Sequence, residues 1–189
     1  MTVILGIDPG LTRLGVGLIR AGQGRTVSLI HVDVYRTPPG DDPAARIGAL
    51  ALQLESLLDT YKPDLVALER VFAQHNVRTV MGTAQISGVV FALAHARSIP
   101  VSLRTPSEVK AAVTGHGRAT KSQVGTLVQS ILGLSEVPKP ADAADALALA
   151  ITEAWRGAPA STGPQGPLTP AQQAWRAAEA KAKRPKLTE

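Results

Sequence analysis

The chain has 189 residues, of which 44% are hydrophobic, so it can bury one full core and carry a short appendage outside it. It contains no cysteine, which excludes disulfides and a cysteine nucleophile, and any metal must therefore bind oxygen or imidazole. The formal net charge of +5, from 20 Lys and Arg against 15 Asp and Glu, indicates nucleic acid only weakly.

Three strands joined by short turns are predicted at the start of the chain, over Val3 to Ile7, Leu14 to Ile19 and Thr26 to Tyr35. Asp8-Pro9-Gly10 separates the first two strands, and the Pro-Gly turn Pro38 to Gly40 follows the third. Successive strands with such short links predict an antiparallel meander.

The apolar start of the chain lacks a basic segment and is broken by Asp8, so it does not predict a signal peptide. No apolar run reaches the length of a membrane span. We therefore expect a cytoplasmic protein with no membrane partner.

Helices and strands alternate after the meander. A helix is predicted from about Pro43, and the short apolar strand Leu65 to Glu69 follows it. The remaining elements are predicted as a helix from Thr79 to Ala96, a strand from Val101 to Leu103, and helices over Pro106–Val113, Thr120–Leu132 and Ala141–Trp155. This order predicts an α/β fold with a mixed five-stranded sheet flanked by helices.

A change in composition divides the chain into a domain over residues 1–156 and a tail over residues 157–189. Gly157 to Pro167 is rich in Pro, Gly, Ser and Thr and is typical of a linker. Thr169 to Gln172 has the form of a capping box and predicts a short helix through Ala182. The tail carries five basic and two acidic residues, a net charge of +3, and we expect it to be flexible.

Two carboxylates occur where predicted strands end. Asp8 ends the first strand beside Gly10 and Gly15, which leave room for a phosphate, although an Asp in this place can also simply cap a turn. Glu69 closes an apolar strand, where an unpaired carboxylate is rare, although it could be a surface charge at the strand end.

Asp142 and Asp145 lie three residues apart at the start of an Ala-rich helix, which places both carboxylates on one face. A single Asp there is explained by the helix dipole, but two repelling charges on one face are better explained by a bound cation. Together with the two strand-end acids they form a set of hard oxygen ligands suited to Mg²⁺ or Mn²⁺. The sequence therefore predicts phosphodiester hydrolysis with two metal ions.

Four segments carry a resemblance to a known family and occur in that family's order: Gly6 to Gly10 (GIDPG), Leu68 to Phe72 (LERVF), Lys121 to Val124 (KSQV) and Ala141 to Ala148 (ADAADALA). They resemble the motifs of the RuvC family of Holliday-junction resolvases, over a stretch from the first strand to about Trp155. The resemblance implies the RNase H-like fold.

The resemblance further implies catalytic, metal-binding carboxylates at Asp8, Glu69, Asp142 and Asp145, with Lys121 beside them. It implies a homodimer that binds a four-way DNA junction and nicks two strands of like polarity symmetrically, in recombination and repair. It also implies cooperation with the RuvA and RuvB branch-migration proteins.

Several residues are predicted to contact DNA: Phe72, Arg78, Lys110, Arg118 and Lys121. Phe72 follows Glu69 in a polar loop of a chain with 3% aromatic residues, which favours base stacking, the alternative being that it anchors the loop on the core. For the basic residues the alternative is a solvated surface charge. Arg70 and Arg104 are further possible phosphate contacts. His75 and His116 are possible donors in loops and are not assigned to metal.

The helix Thr79 to Ala96 is apolar almost all round, which predicts burial on two sides. A thin sheet-and-helix domain covers only one side, so we predict that a second copy covers the other. The small residues Gly82, Ala84, Gly88 and Ala92 would allow close approach, with Val89 and Leu93 facing outward. The alternative is a central helix in a monomer.

Three other functions compete with junction resolution. A related RNase H-like nuclease acting on RNA or on another branched DNA would share the carboxylates. A sugar kinase or actin-like ATPase would need a second domain, for which this chain is too short. A catalytically silent junction-binding module is disfavoured because all four carboxylates are present.

Overall fold

The computed structural model describes residues 1–71 and 77–156, without the side chains of residues 77–79. These residues form five strands and five helices in the predicted order. The strands are β1 (Thr2–Asp8), β2 (Arg13–Ala21), β3 (Val27–Arg36), β4 (Leu65–Glu69) and β5 (Val101–Arg104). The helices are α1 (Pro43–Tyr61), α2 (Val77–Ala96), α3 (Pro106–Thr114), α4 (Lys121–Leu132) and α5 (Ala141–Arg156). The predicted linker and tail, residues 157–189, lie outside the described residues.

The five strands form one mixed sheet in the order β3-β2-β1-β4-β5. β1, β2 and β3 pair antiparallel, which confirms the predicted meander. β4 runs parallel to β1, and β5 runs parallel to β4. The carboxyl ends of β1 and β4 therefore lie side by side at one edge of the sheet, where ligand sites of α/β proteins usually form.

Helices cover both faces of the sheet and give the domain two apolar layers. One layer packs α1 and α2 against the sheet through residues such as Leu50, Ile86 and Val90. The other packs α3, α4 and α5 through residues such as Val109, Val128 and Leu147. Among the described helices, none is long and apolar enough to cross a membrane.

Glycines let α5 approach the sheet unusually closely. A Cβ atom on Gly6 would collide with the backbone carbonyl of Ala146, and one on Gly15 would collide with that of Asp142. A Cβ atom on Gly17 would lie 2.8 Å from the backbone nitrogen of Leu147. Because these glycines offer no side chain, the first turns of α5 lie directly on β1 and β2, beside Asp8.

Helix α2 is buried on one face, with Ile86, Val90 and Ala94 in the core. Its opposite face is exposed yet apolar: Met81 is 55% and Phe91 is 42% exposed. The predicted second apolar side therefore exists, but Val89 and Leu93 were wrongly placed on it, since both pack partly against the core. Gly82 is also turned inward, where a Cβ atom would lie 3.1 Å from Leu11.

Candidate active site

Asp8 and Glu69 end two adjacent parallel strands, and the pairing of Ile7 with Leu68 places the two acids next to each other. Alternate residues of a strand face the same side. Asp8 therefore shares with Gly6 the side of β1 that α5 covers. The structure thus brings together two of the four predicted carboxylates at the edge of the sheet, both of them half-buried.

Burial, together with the nearby charges of Glu69 and Asp145, raises the pKa of Asp8 from 3.8 to about 8. Burial also raises the pKa of Glu69, while a hydrogen bond with Asp8 opposes that rise. Two adjacent carboxylates in a site partly withdrawn from water cannot both carry their charge cheaply. Without a cation, Asp8 therefore keeps its proton at neutral pH and donates a hydrogen bond to the Glu69 carboxylate.

Asp145 is the third member of this cluster, and Lys121 neutralises it. The Lys121 Nζ atom donates a hydrogen bond to Asp145 Oδ2 at 2.6 Å. This hydrogen bond is the main cause of a raised pKa for Lys121, and the charges of Asp8 and Glu69 raise it as well. A capping box between Thr120 and Gln123 sets the start of α4 and so holds Lys121 at the site.

Asp142 lies one turn before Asp145, and its carboxylate has a different partner. Arg13 Nε lies 3.1 Å from Asp142 Oδ2, and the Arg13 side chain is 59% exposed. No sequence motif singled out Arg13, although its place five residues after Asp8, at the start of β2, puts it at the same sheet edge. The structure thus places all four predicted carboxylates at one edge, three of them coupled in charge and the fourth held by Arg13.

The carboxylates fit a divalent cation, because their negative charge is compensated in its absence by three other groups. A proton on Asp8, the Lys121 ammonium and the Arg13 guanidinium compensate the acids. Within residues 1–71 and 77–156, no three acidic or histidine side chains yet stand close enough to hold a metal ion together. Binding a cation would therefore require the acids to exchange these partners for the metal.

Divalent cations should stabilise the protein more strongly as pH rises. In the metal-free protein Asp8 keeps a proton that the unfolded chain loses near pH 4, so its contribution to stability falls as pH rises from about 4 to about 8. A cation needs the ionised carboxylate and competes with that proton below about pH 8. We expect the increase in melting temperature with Mg²⁺ to be larger at about pH 8 than at about pH 6.

Asp8→Asn provides the control for this measurement, because an amide cannot titrate. That protein should lose most of the Mg²⁺ effect together with its dependence on pH. An increase in melting temperature of equal size at both pH values, or one retained in Asp8→Asn, would show that the cation binds elsewhere.

A cavity of about 70 Å³ opens beside the carboxylates and contains a second lysine. Glu69, Asp145, Lys110 and Lys121 all line it. The structure therefore places Lys110 beside the carboxylates, and its predicted contact with DNA stays a prediction. Arg118 is exposed in the segment that leads into α4, three residues before Lys121.

Arg104 is turned into the protein, and its expected contact with a DNA phosphate stays a prediction. Its guanidinium donates to Glu153 Oε2 at 2.7 Å, and the Glu153 side chain is fully buried. Glu153 Oε1 has no hydrogen-bond partner among the described residues. The pair ties the end of β5 to α5 behind the active site. Glu153 is the one acid in the second half of α5, among mostly apolar residues, and this was the available signal for the pair.

The remaining predicted residues differ in how far the structure describes them. Phe72 and His75 lie outside the described residues, and the side chain of Arg78 is not described. Arg70 is exposed, and its backbone nitrogen donates to the Arg104 carbonyl at 2.8 Å. His116 is exposed between α3 and α4.

Comparison with known proteins gives one consistent result. Residues 4–153 match the family model described as crossover junction endodeoxyribonuclease RuvC. A protein of that name from Saccharopolyspora erythraea is 58% identical over 153 residues, covering 81% of this chain and 77% of the relative. Another, from Leifsonia xyli subsp. xyli, is 54% identical and covers 95% of this chain and 93% of the relative.

A solved structure extends the match to three dimensions. The structure of Thermus thermophilus RuvC in complex with a Holliday junction substrate superposes with a TM-score of 0.79 at 35% identity. The match covers 82% of this chain and 94% of that one. It confirms the predicted RNase H-like fold.

Proposed function

This chain belongs to the RuvC family of crossover junction endodeoxyribonucleases, and from that premise we propose which of its residues carry out junction resolution and how. The protein is a metal-dependent endonuclease that resolves four-way DNA junctions. The observation that carries the assignment of residues is the charge coupling of Asp8, Glu69 and Asp145 at one edge of the sheet.

Asp8, Glu69, Asp142 and Asp145 hold two Mg²⁺ ions in our proposal, and Mn²⁺ can replace them. All four ligands are carboxylates, which suits these hard cations. When bound, the ions activate water for attack on the phosphodiester and neutralise charge at the leaving oxygen. The chain itself holds the acids in register, through the β1–β4 pairing and the close approach of α5.

Lys121 changes partner in this proposal. Its side chain is 73% exposed and its ammonium pairs with Asp145, a contact that a bound cation would replace. The released ammonium can then bind an oxygen of the DNA phosphate at the same site. Lys110 lines the same cavity and adds a second positive charge for the strand.

A homodimer built on α2 is supported by the exposed apolar face of that helix, which includes Met81, Gly88 and Phe91. A Cβ atom on Gly88 would meet nothing within 4 Å, so a second helix could pack closely there. Two copies related by a two-fold axis would present two equivalent sites to two strands of like polarity. Paired symmetric nicks would follow from this geometry.

Phe91→Glu should convert the dimer to a monomer, because it places a charge in the centre of the apolar contact. Sedimentation at micromolar concentration would measure the change. Leu127→Glu is the matched control: Leu127 is 36% exposed on α4, on the opposite face of the sheet, and the variant should remain a dimer. A monomeric wild type, or a dimeric Phe91→Glu protein, would contradict the proposed interface.

Cooperation with the RuvA and RuvB branch-migration proteins is part of the same proposal and is supported by membership of the family. We place the enzyme in the cytoplasm, where such partners and DNA substrates would meet.

A cleavage assay separates this function from its nearest alternative, a related nuclease acting on RNA. The purified protein would be incubated with a labelled mobile four-way DNA junction or with an RNA–DNA duplex, each with and without Mg²⁺ or Mn²⁺. We expect metal-dependent cleavage of the junction alone. Cleavage of the RNA–DNA duplex at a comparable rate, or no cleavage of either, would contradict the assignment.

A further inference from the structure

Two arginines stand directly opposite each other in the β2–β3 pairing, at the end of the sheet that carries the active site. Arg13 of β2 pairs with Arg36 of β3, and both residues are exposed. Like charges directly opposite in an antiparallel pair destabilise the sheet, and either position accepts many uncharged residues. An anion bound between them would turn this repulsion into an attraction.

A cleft beside Arg36 adds a third positive charge. Arg36 and Lys139 line this cleft of about 340 Å³, together with Pro138, Pro140 and the start of α5. Asp33 also lines it, so Arg36, Lys139 and Asp33 together give the cleft a net charge of +1; the Asp33 carboxylate accepts a hydrogen bond from the Val34 backbone nitrogen at 2.7 Å. Within the described part of the chain, neither Arg36 nor Lys139 forms an ion pair.

Arg13 joins this group of cations to the active site, since its guanidinium lies 3.1 Å from Asp142. Arg13, Arg36 and Lys139 therefore form a cationic strip that begins at a catalytic carboxylate and continues along the β2–β3 edge. Lys110 and Lys121 lie in the cavity beside Glu69 and Asp145, and that cavity and the cleft share no lining residue. The strip is thus a second positive surface beside the same site.

We propose that the cationic strip binds backbone phosphates of the DNA strand adjacent to the bond that is cut, an assignment that rests on the proposed function. Its partners are phosphodiester oxygens, because guanidinium and ammonium groups recognise them without reading bases. The strip sets the position of the strand over the carboxylates and carries no sequence preference. Arg13 exchanges Asp142 for a phosphate when the carboxylate takes a metal ion.

The salt dependence of binding tests the strip directly. Junction binding would be measured without divalent metal, so that no cutting occurs, for the wild type and for Arg36→Gln/Lys139→Gln over a series of KCl concentrations. The slope of log affinity against log salt is negative, and each lost phosphate contact reduces its magnitude by about 0.9. The magnitude of the slope should therefore fall by roughly 1.8 in the double variant. Arg13→Gln should keep the wild-type slope in this metal-free assay, because Arg13 stays paired with Asp142 when no metal ion is bound.

Arg20→Gln/Lys62→Gln is the matched control, because it removes the same charge at the opposite end of the sheet, where Arg20 pairs with Val3 and Lys62 ends α1. This control should keep the wild-type slope. Arg36→Gln should also melt at or above the wild-type temperature, since it relieves the repulsion with Arg13.

Equal slopes for the wild type and Arg36→Gln/Lys139→Gln would show that the cationic strip does not bind phosphates. Equal losses in the double variant and in the control would also overturn the proposal, since they would show a general effect of net charge. Failure of the proposed function gives a different result, namely a wild type that does not cut junctions when Mg²⁺ is added.

Discussion

Asp8→Asn, Glu69→Gln and Asp145→Asn proteins are expected to bind four-way junctions at least as well as the wild type while losing nearly all cleavage. Each change removes a proposed metal ligand and also removes a negative charge where the DNA phosphate would bind. Metal ions contribute several kcal/mol of stabilisation to such transition states, and each 1.36 kcal/mol is a factor of ten. We expect a loss on the order of 10³-fold or more.

Gel-shift and cleavage assays on the same preparations would measure both properties. Asp41→Asn is the matched control, since Asp41 is an exposed acid before α1 and outside the active site, and it should cut like the wild type. A cluster variant that cuts at the wild-type rate would remove that residue from the catalytic set. Loss of binding in parallel with cleavage would indicate a damaged fold instead.

Gly15→Ala is expected to lose both stability and cleavage, because the added Cβ atom would collide with the backbone carbonyl of Asp142. Neither β2 nor α5 can move freely: β2 is paired on both sides, and α5 lies on two strands of the same sheet. Overpacking of this kind costs on the order of 3 kcal/mol. Any relief must also move Asp142 and Asp145 away from Asp8.

Gly48→Ala is the matched control for the same chemical change. Gly48 is an exposed position within α1 where a Cβ atom would meet nothing within 4 Å. Alanine is the better helix former, so this variant should gain roughly 0.5–1 kcal/mol of stability and keep its activity. Thermal melting and junction cleavage measure both variants. A Gly15→Ala protein that is fully stable and active would show that α5 is not held at this distance by Gly15.

The sequence was sufficient to predict the elements and the acids at their ends. Apolar periodicity predicted every described strand and helix to within a few residues, because each element buries one clear face. Asp8, Glu69 and Asp145 could be identified because a carboxylate at the end of an apolar strand, or an acidic pair on one helical face, is costly without a partner.

Properties set by tertiary contacts could not be predicted from the sequence. The inward turn of Arg104 depends on Glu153, which lies 49 residues away in the chain. The pairing of Arg13 with Arg36 depends on the register of β2 and β3, which includes a bulge at Leu18 and Ile19. Apolar residues all round α2 gave no means of choosing its buried face, which is why Val89 was placed outward.

Mapping the cut strands of a four-way junction would show whether the protein makes the paired nicks of a resolvase. Each of the four strands would be labelled in turn, and the junction incubated with the wild-type protein and Mg²⁺ beside a linear duplex of the same sequence. We expect nicks at symmetric positions in two strands of like polarity, ends that a ligase can seal, and no cutting of the linear duplex. Cutting of the linear duplex at the same rate, or nicks scattered over all four strands, would contradict this expectation.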